Sequence, residues 1–392
     1  MDIPFARPSI GIEEELAVIK VLRSGWLTTG EESISLEKEF ASFVDAKHAL
    51  AVSSATAGLH LSLLACGVKS GDFVITSTYT FAATAHAISY IGAIPLFVDV
   101  EEISLNMDLG EVEWICSNNQ GRISAIVVVH FAGLPVDMKV LREIASKWHI
   151  PLIEDAAHAF PVKTQLGTIG ALGDCGAFSF YATKPMTSGE GGMVVTNSSE
   201  AAELIGRLRL HGINRPVWDR YGKVKQKDFK IKDWEYDVTH LGYKYNLSDI
   251  VASIARVQLK RSVGFLHRRK QIADQYFKGL SNCSLVLLPQ NANEHSWHLF
   301  VIRFLSNENS LFRDELANRL AKRGIKTSVH FRPLHTMTYY SNSKFPKTRF
   351  PNAVRAFNTA LSLPIFPDLT EEEINYIIKY LLVEIKLLSK AK

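Results

Sequence analysis

Short apolar runs alternate with amphipathic segments through the first half of the chain, and this predicts an α/β protein built on a mostly parallel sheet covered on both faces. Two further observations agree. Residues with chemical potential, Ser54 to Thr56, Tyr79 to Phe81, His130 and Asp155 with His158, follow directly after the apolar runs. In such sheets ligands bind beyond the carboxyl ends of the strands. The last third of the chain carries a different pattern, which reads as a smaller α+β unit.

Taken in order, Ile12–Ser24 places Leu16, Val18, Ile19 and Leu22 at helical spacing and is closed by Gly25. The runs Ala49–Val52, Phe73–Thr76, Pro95–Val98, Ala125–Val129 and Pro151–Ile153 are expected strands. Between them Ala57–Leu64, Ala82–Ile91, Asp108–Cys116 and Met138–Trp148 are expected helices. From Gly176 to Thr196 the pattern becomes two strands joined by a turn. The charged, aromatic-rich stretch Asn214–Trp234 reads as a solvated loop, or as a lid whose lysines approach an anionic substrate. Ser248–Leu280 is a long basic helix linking a large domain, 1–250, to a small one, 251–392. In the latter, Trp297–Phe304 is an expected strand, and Leu311–Arg323 and Glu371–Leu388 are expected helices.

Composition narrows the function classes. With 392 residues, 47% apolar and 21% charged, the chain is an ordinary globular protein. Its 44 basic and 40 acidic residues leave a net charge of +4, which requires no nucleic-acid partner. Four scattered cysteines without a CxxC pair argue against a zinc ribbon or a disulfide framework. The amino end, MDIPFARPSIG, has no apolar core of a signal peptide, and no uncharged run approaches the roughly 18 residues of a membrane span. The cytoplasm is the expected location. His330 and His335 in HFRPLH fit no usual metal-ligand spacing, so no metal is expected. No G-x-S-x-G elbow, P-loop or GxGxxG run is present.

The stretch FSFYATKPMTSGEGGMVVT places Lys184 after an apolar strand and before Gly189, Gly191 and Gly192. Lysine forms a Schiff base with an aldehyde cofactor, and the glycines allow a bulky group to approach the backbone. Asp155 ends the strand of IEDAAHA, where a buried carboxylate needs a partner. A protonated pyridine ring is such a partner, and the pair points to pyridoxal phosphate. The alternatives are a solvated lysine, and an aspartate that caps a helix starting at Ala156. His158 lies near the same face and could bond the cofactor's phenolic oxygen, or it is a core histidine. Ser53-Ser54-Ala55-Thr56 precedes a helix, where backbone donors and hydroxyls suit a phosphate, and Ser179 adds a hydroxyl. Phe81 could stack on a ring, or belong to the core.

Together these segments resemble the DegT-type sugar aminotransferases, pyridoxal-phosphate enzymes of the aspartate-aminotransferase (type I) fold. The resemblance runs from FARPSIG and SGWLTTG through SSATAGLHLSL, VHFAGLPVD, IEDAAHA, FSFYATK and GEGG to GYKYNLSDI, WHLF, HFRPLH and LSLPIFPDLT. It implies Lys184 as the lysine that holds the cofactor and Asp155 as the ring-nitrogen partner. It implies His158 at the phenolic oxygen, Phe81 on the ring, and Ala55, Thr56 and Ser179 as the phosphate cup. It further implies a homodimer in which Lys244 or Asn246 of the GYKYN segment reaches the neighbouring active site, with His330 on the substrate side. SSATAG, GYKYNLSDI, WHLF and HFR…H look most like the members that move an amino group from L-glutamate, released as 2-oxoglutarate, to a UDP-linked 4-keto pentose for lipid A. Two positions depart from those members: Phe81 stands where they have tryptophan, and YATK replaces HA.K. The alternatives are a 3-keto sugar substrate, a dehydratase, against which Lys184 argues, and a silent regulatory protein.

Overall fold

The computed structural model describes residues 1–222, 232–305, 310–341 and 350–390. The chain runs α1 (Ile12–Ser24), α2 (Glu31–Val44), β1 (His48–Val52), α3 (Ala55–Ala65), β2 (Phe73–Ser77), α4 (Ala82–Tyr90), β3 (Ile94–Val98) and α5 (Leu109–Asn118). It continues through β4 (Ile123–Val129), α6 (Met138–Trp148), β5 (Leu152–Asp155), the short pair β6 (Lys163–Thr164) and β7 (Gly167–Thr168), then β8 (Cys175–Ser179), β9 (Gly192–Thr196), α7 (Ser199–Leu208) and α8 (Val217–Tyr221). The 32-residue α9 (Asp249–Leu280) leads into β10 (Val286–Leu287), β11 (Phe300–Phe304), α10 (Leu311–Lys322), α11 (Pro351–Thr359), β12 (Ala360–Leu363) and α12 (Glu371–Lys390). Of the charged stretch Asn214–Trp234, positions 223–231 lie outside the described residues.

The central sheet has seven strands in the order β1-β9-β8-β5-β4-β2-β3. Neighbours are parallel from β8 through β5, β4 and β2 to β3, whereas β9 runs antiparallel to both β1 and β8. Strand alternation sorts the side chains. Leu50, Val52, Ala125, Val127 and Val194 enter one core with α3 and α7. Ile126 and Val128 pack with α5 and α6, while Ala49, Ala51, Met193 and Val195 pack with α2 and α9. Each fully buried Val or Phe contributes roughly 1.5–3 kcal/mol by its removal from water. Side-chain caps start the helices: Ser54 Oγ accepts from Ala57 N at 3.1 Å, Asp108 caps α5, Asp137 caps α6 and Ser198 caps α7.

A three-stranded antiparallel sheet, β10-β11-β12, packs with α10, α12 and the second half of α9 around Tyr276, Phe300, Leu316, Leu361 and Leu381. A shared cluster, including Phe97, Phe131, Leu299, Leu334 and Phe350, joins it to the larger sheet. One helix turns a polar face inward, and one expected strand starts later. Helix α1 forms over the expected residues, but Leu16, Ile19 and Leu22 face solvent, while Glu14 and Val21 face inward. The reason is a polar inner surface: Glu14 Oε1 accepts from Gln258 Nε2 at 2.7 Å and pairs with Arg261 Nη1 at 2.6 Å on α9. The expected strand Trp297–Phe304 begins only at Phe300, because Trp297 sits in the left-handed region at φ 51°.

Candidate active site

Strands β4, β5 and β8 end on one side of the sheet, and the proposed machinery gathers there. Asp155 is the last residue of β5 and is buried. No helix follows it, so it is not a helix cap. Its Oδ1 accepts from Ala157 N at 3.2 Å and its Oδ2 from Thr84 Oγ1 at 2.8 Å. Burial raises the Asp155 pKa, and the hydrogen bonds from Thr84 and Ala157 and the charge of Lys184 oppose that rise. Lys184 lies in the turn after β8, its N–H bonded to Tyr181 O at 2.9 Å. Burial pulls its ammonium down to about 8, with Asp155 working the other way.

Two imidazoles lie close enough to Lys184 to feel its charge. His158 is buried and its Nδ1 has no hydrogen-bond partner among the described residues. Its ring stacks on Phe331 at 5.9 Å. Burial holds its pKa well below 6.5, with smaller contributions from Lys184 and His330. His330 rests against Phe5 at 5.4 Å, and its Nδ1 lies 2.9 Å from Ser362 Oγ. Burial first, then Lys184, lowers its pKa to about 4. A third imidazole, His298, carries no sequence signal of a site role, and its ring centroid is 4.3 Å from that of His158. It was visible in the WHLF motif, but nothing local marks it as more than the start of a strand. The segment before β11 delivers it. Ser296 Oγ donates to His158 O, Leu299 N to Ala132 O at 3.2 Å, and Arg269 Nη1 to Trp297 O at 3.1 Å.

The opposite wall is made where α3 meets the β8–β9 hairpin. Gly192 pairs with Ser179 and Val52, and a Cβ there would lie 2.7 Å from Ala55 N. This close approach brings Ser179 to the amino end of α3 with Ala55 and Thr56. Phe81 is the cap residue of α4, 62% exposed, with its ring 6.2 Å from that of Phe331. Lys244 and Asn246 lie on a segment that bridges to β1 at Val52, the residue that also pairs with Gly192. Lys244 is exposed and its Nζ donates to Asn246 Oδ1 at 2.5 Å, while Asn246 Nδ2 donates to Thr29 Oγ1 at 2.7 Å. His130 turns away from the site: its Nε2 is 3.1 Å from Glu154 Oε2, and its Nδ1 accepts from Val136 N at 3.2 Å. His335 Nδ1 lies 2.7 Å from Thr78 Oγ1.

These residues fit pyridoxal phosphate. A buried carboxylate stands near a lysine of lowered pKa, an orphaned imidazole nitrogen belongs to a histidine that feels that lysine's charge, an exposed aromatic ring lies beside Phe331, and a glycine cradle meets a helix N-terminus.

Residues 8–382 match the model of the DegT/DnrJ/EryC1/StrS aminotransferase family. The chain is 38% identical over 381 residues to the spore coat polysaccharide biosynthesis protein SpsC of Bacillus subtilis, covering 96% of this chain and 95% of that one. Among solved structures it superposes on Spr1654 of Streptococcus pneumoniae, solved under the name of a sugar aminotransferase, with a TM-score of 0.90 at 30% identity. The superposition covers 99% of this chain and 100% of that one, and the same protein is known in pyridoxal-phosphate and pyridoxamine-phosphate forms. The aminotransferase TlmJ of Streptoalloteichus hindustanus superposes with a TM-score of 0.88 at 31% identity, over 99% and 100% of the two chains. With its parallel sheet, its lysine hairpin and these relatives, the chain belongs to the DegT/DnrJ/EryC1/StrS aminotransferase family, as a pyridoxal-phosphate-dependent sugar aminotransferase of the type I fold.

Proposed function

We propose that the enzyme moves the amino group of L-glutamate to a 4-keto sugar carried on a nucleotide, a UDP-linked one, for cell-envelope polysaccharide or lipid A. The observation that carries the aminotransfer is the pairing of Lys184, lowered to about 8, with buried Asp155. The sugar assignment is supported by the SSATAG, GYKYNLSDI, WHLF and HFR…H segments, and by the polysaccharide role in the name of SpsC.

In this reading Lys184 would hold the cofactor and, as a free amine, would take up and return a proton at its Nζ. A pKa near 8 leaves a working share of that amine unprotonated close to neutrality. Bound pyridoxal phosphate supplies the carbon that carries the amino group and the ring that takes up the electron pair. Asp155 keeps the proton on the ring nitrogen. His158, held neutral by burial, bonds the phenolic oxygen. Ala55, Thr56 and Ser179 cup the phosphate, Phe81 covers the ring, and His330 faces the sugar. Lys244 and Asn246 serve the site of a second copy in a homodimer, a role supported by the exposure of Lys244. Residues 1–250 thus carry the cofactor and 251–392 close the substrate side. Among the described residues no helix is long and apolar enough to cross a membrane, and we place the reaction in the cytoplasm.

The test is a panel of 3-keto and 4-keto nucleotide sugars incubated with glutamate, the products identified by mass spectrometry and NMR. Amination of UDP-linked 4-keto sugars is expected, and Lys184→Ala should abolish it together with the borohydride-trapped cofactor. The second reading, a 3-keto sugar, is compatible with Phe81, which departs from the tryptophan of the 4-keto pentose members, and exclusive amination of 3-keto compounds would establish it.

A further inference from the structure

Behind Asp155 runs a buried chain of hydroxyls. Thr84 Oγ1 donates to Asp155 Oδ2 at 2.8 Å, and Thr80 Oγ1 lies 2.9 Å from Thr84 Oγ1. All three side chains are buried, with Thr84 at 1% and Thr80 at 2% exposure. A hydroxyl has one proton to give. Thr84 gives its proton to the carboxylate, so the bond between the threonines must be donated by Thr80. The chain therefore has a direction, Thr80 to Thr84 to Asp155, and each bond polarises the next.

We propose that Thr84 is a positioning residue of the reaction, holding Asp155 ionised and aimed at the cofactor ring, with Thr80 as the donor behind it. This rests on the reading of Asp155 as the ring-nitrogen partner. The other titratable groups whose charge reaches Asp155 are Lys184, from the turn after β8, and His130, from the end of β4. His130 has no hydrogen bond left for it, because one ring nitrogen is taken by Glu154 and the other by the Val136 N–H. Lys184 is committed to the cofactor in the proposed reaction. Among the described residues each carboxylate oxygen thus has one donor, Ala157 N–H on Oδ1 and the Thr84 hydroxyl on Oδ2. A buried carboxylate that loses a donor becomes a weaker acid. Thr84 also lies three residues after Phe81, the cap of α4, so one helix turn supplies both the ring-covering aromatic and the hydroxyl. A threonine in a first helical turn ordinarily bonds nearby backbone. Here the hydroxyl reaches across to β5.

The experiment compares wild-type, Thr84→Val, Thr84→Ser and Thr80→Val holoenzymes. It reads the pH titration of the visible band of the lysine-held cofactor, the pH profile of kcat/KM, and cofactor loss on dialysis, with melting temperature as a check of folding. For Thr84→Val the acid limb and the spectral midpoint should move up by about one pH unit, and the cofactor should leave about tenfold faster. Thr84→Ser should restore wild-type behaviour, and Thr80→Val should shift both midpoints the same way by less. Unmoved midpoints in Thr84→Val overturn the proposal. Should Thr84→Val not fold, unmoved midpoints in Thr80→Val overturn it instead. Asp155→Asn separates the two levels. If it keeps cofactor and spectrum, the reading of Asp155 itself fails. If it is impaired while Thr84→Val is silent, only the role of Thr84 fails.

Discussion

Lys184 pays for its place by desolvation, and the cost has a pH signature. In the unfolded chain its pKa is 10.5, and in the folded one about 8. Between these values the unfolded state binds more protons, so stability rises with pH across the window, while below about 8 both states are charged and the full penalty stands. Cofactor-free Lys184→Met should therefore melt higher than cofactor-free wild type at pH 7, with the gap closing towards pH 10.5. Calorimetry of both proteins checks this, and an equal gap at both ends would remove desolvation as its cause. Lys184 and Asp155 were legible in sequence because strand ends and glycines advertise them. Thr84 and His298 were not. Thr84 works through a bond to another element, and His298 gains its meaning from a ring contact across the fold.

At the scale of elements, the segment His295–Leu299 fastens the small sheet to the site. Gly133 makes the fastening possible: its φ is 98°, and a Cβ there would come within 1.8 Å of Ser296 Oγ and 2.8 Å of His158 O. Gly133→Ala should cost about 2–4 kcal/mol, from backbone strain together with a displaced buried serine. Urea unfolding measures the loss, and a change below about 0.5 kcal/mol would show that the junction yields freely. The strands and helices of the large sheet were readable because their apolar periods are strong. The bend at Trp297 was not, since the apolar run continues through it and the left-handed turn is held by Arg269 and by the Trp297 N–H bond to His295 Nδ1 at 2.9 Å. The orientation of α1 was unreadable for a related reason, because its inner face is chosen by Gln258 and Arg261 on a helix far along the chain.

At the scale of the whole molecule, buried neutral histidines tie stability to pH. Burial lowers His60 and His330 to about 4 and His295 to about 3, from an ordinary 6.5. Their contribution is complete above pH 6.5 and is lost progressively as pH falls from there to about 4, or about 3 for His295, since the unfolded chain takes up those protons first. The guanidinium midpoint should be lower at pH 5 than at pH 7, and an unchanged midpoint would contradict it. The proposed homodimer has its own test. Mixed Lys184→Ala and Lys244→Ala/Asn246→Ala subunits should regain activity in hybrids that contain one intact site, whereas cis-acting residues would leave every hybrid inactive.

The reversed strand β9 carries a consequence for synthesis on the ribosome. β1, which leads into the proposed phosphate cup, finds its partner only in positions 192–196, far downstream. Closing so long a loop comes late in folding. A nascent chain that already displays residues 48–56 still lacks the strand that seats them and the hairpin that bears Lys184. Cofactor capture in the proposed site therefore waits for the β8–β9 hairpin to emerge, and a chain stalled before it leaves β1 unpaired and the sheet edge at β5 open to other strands.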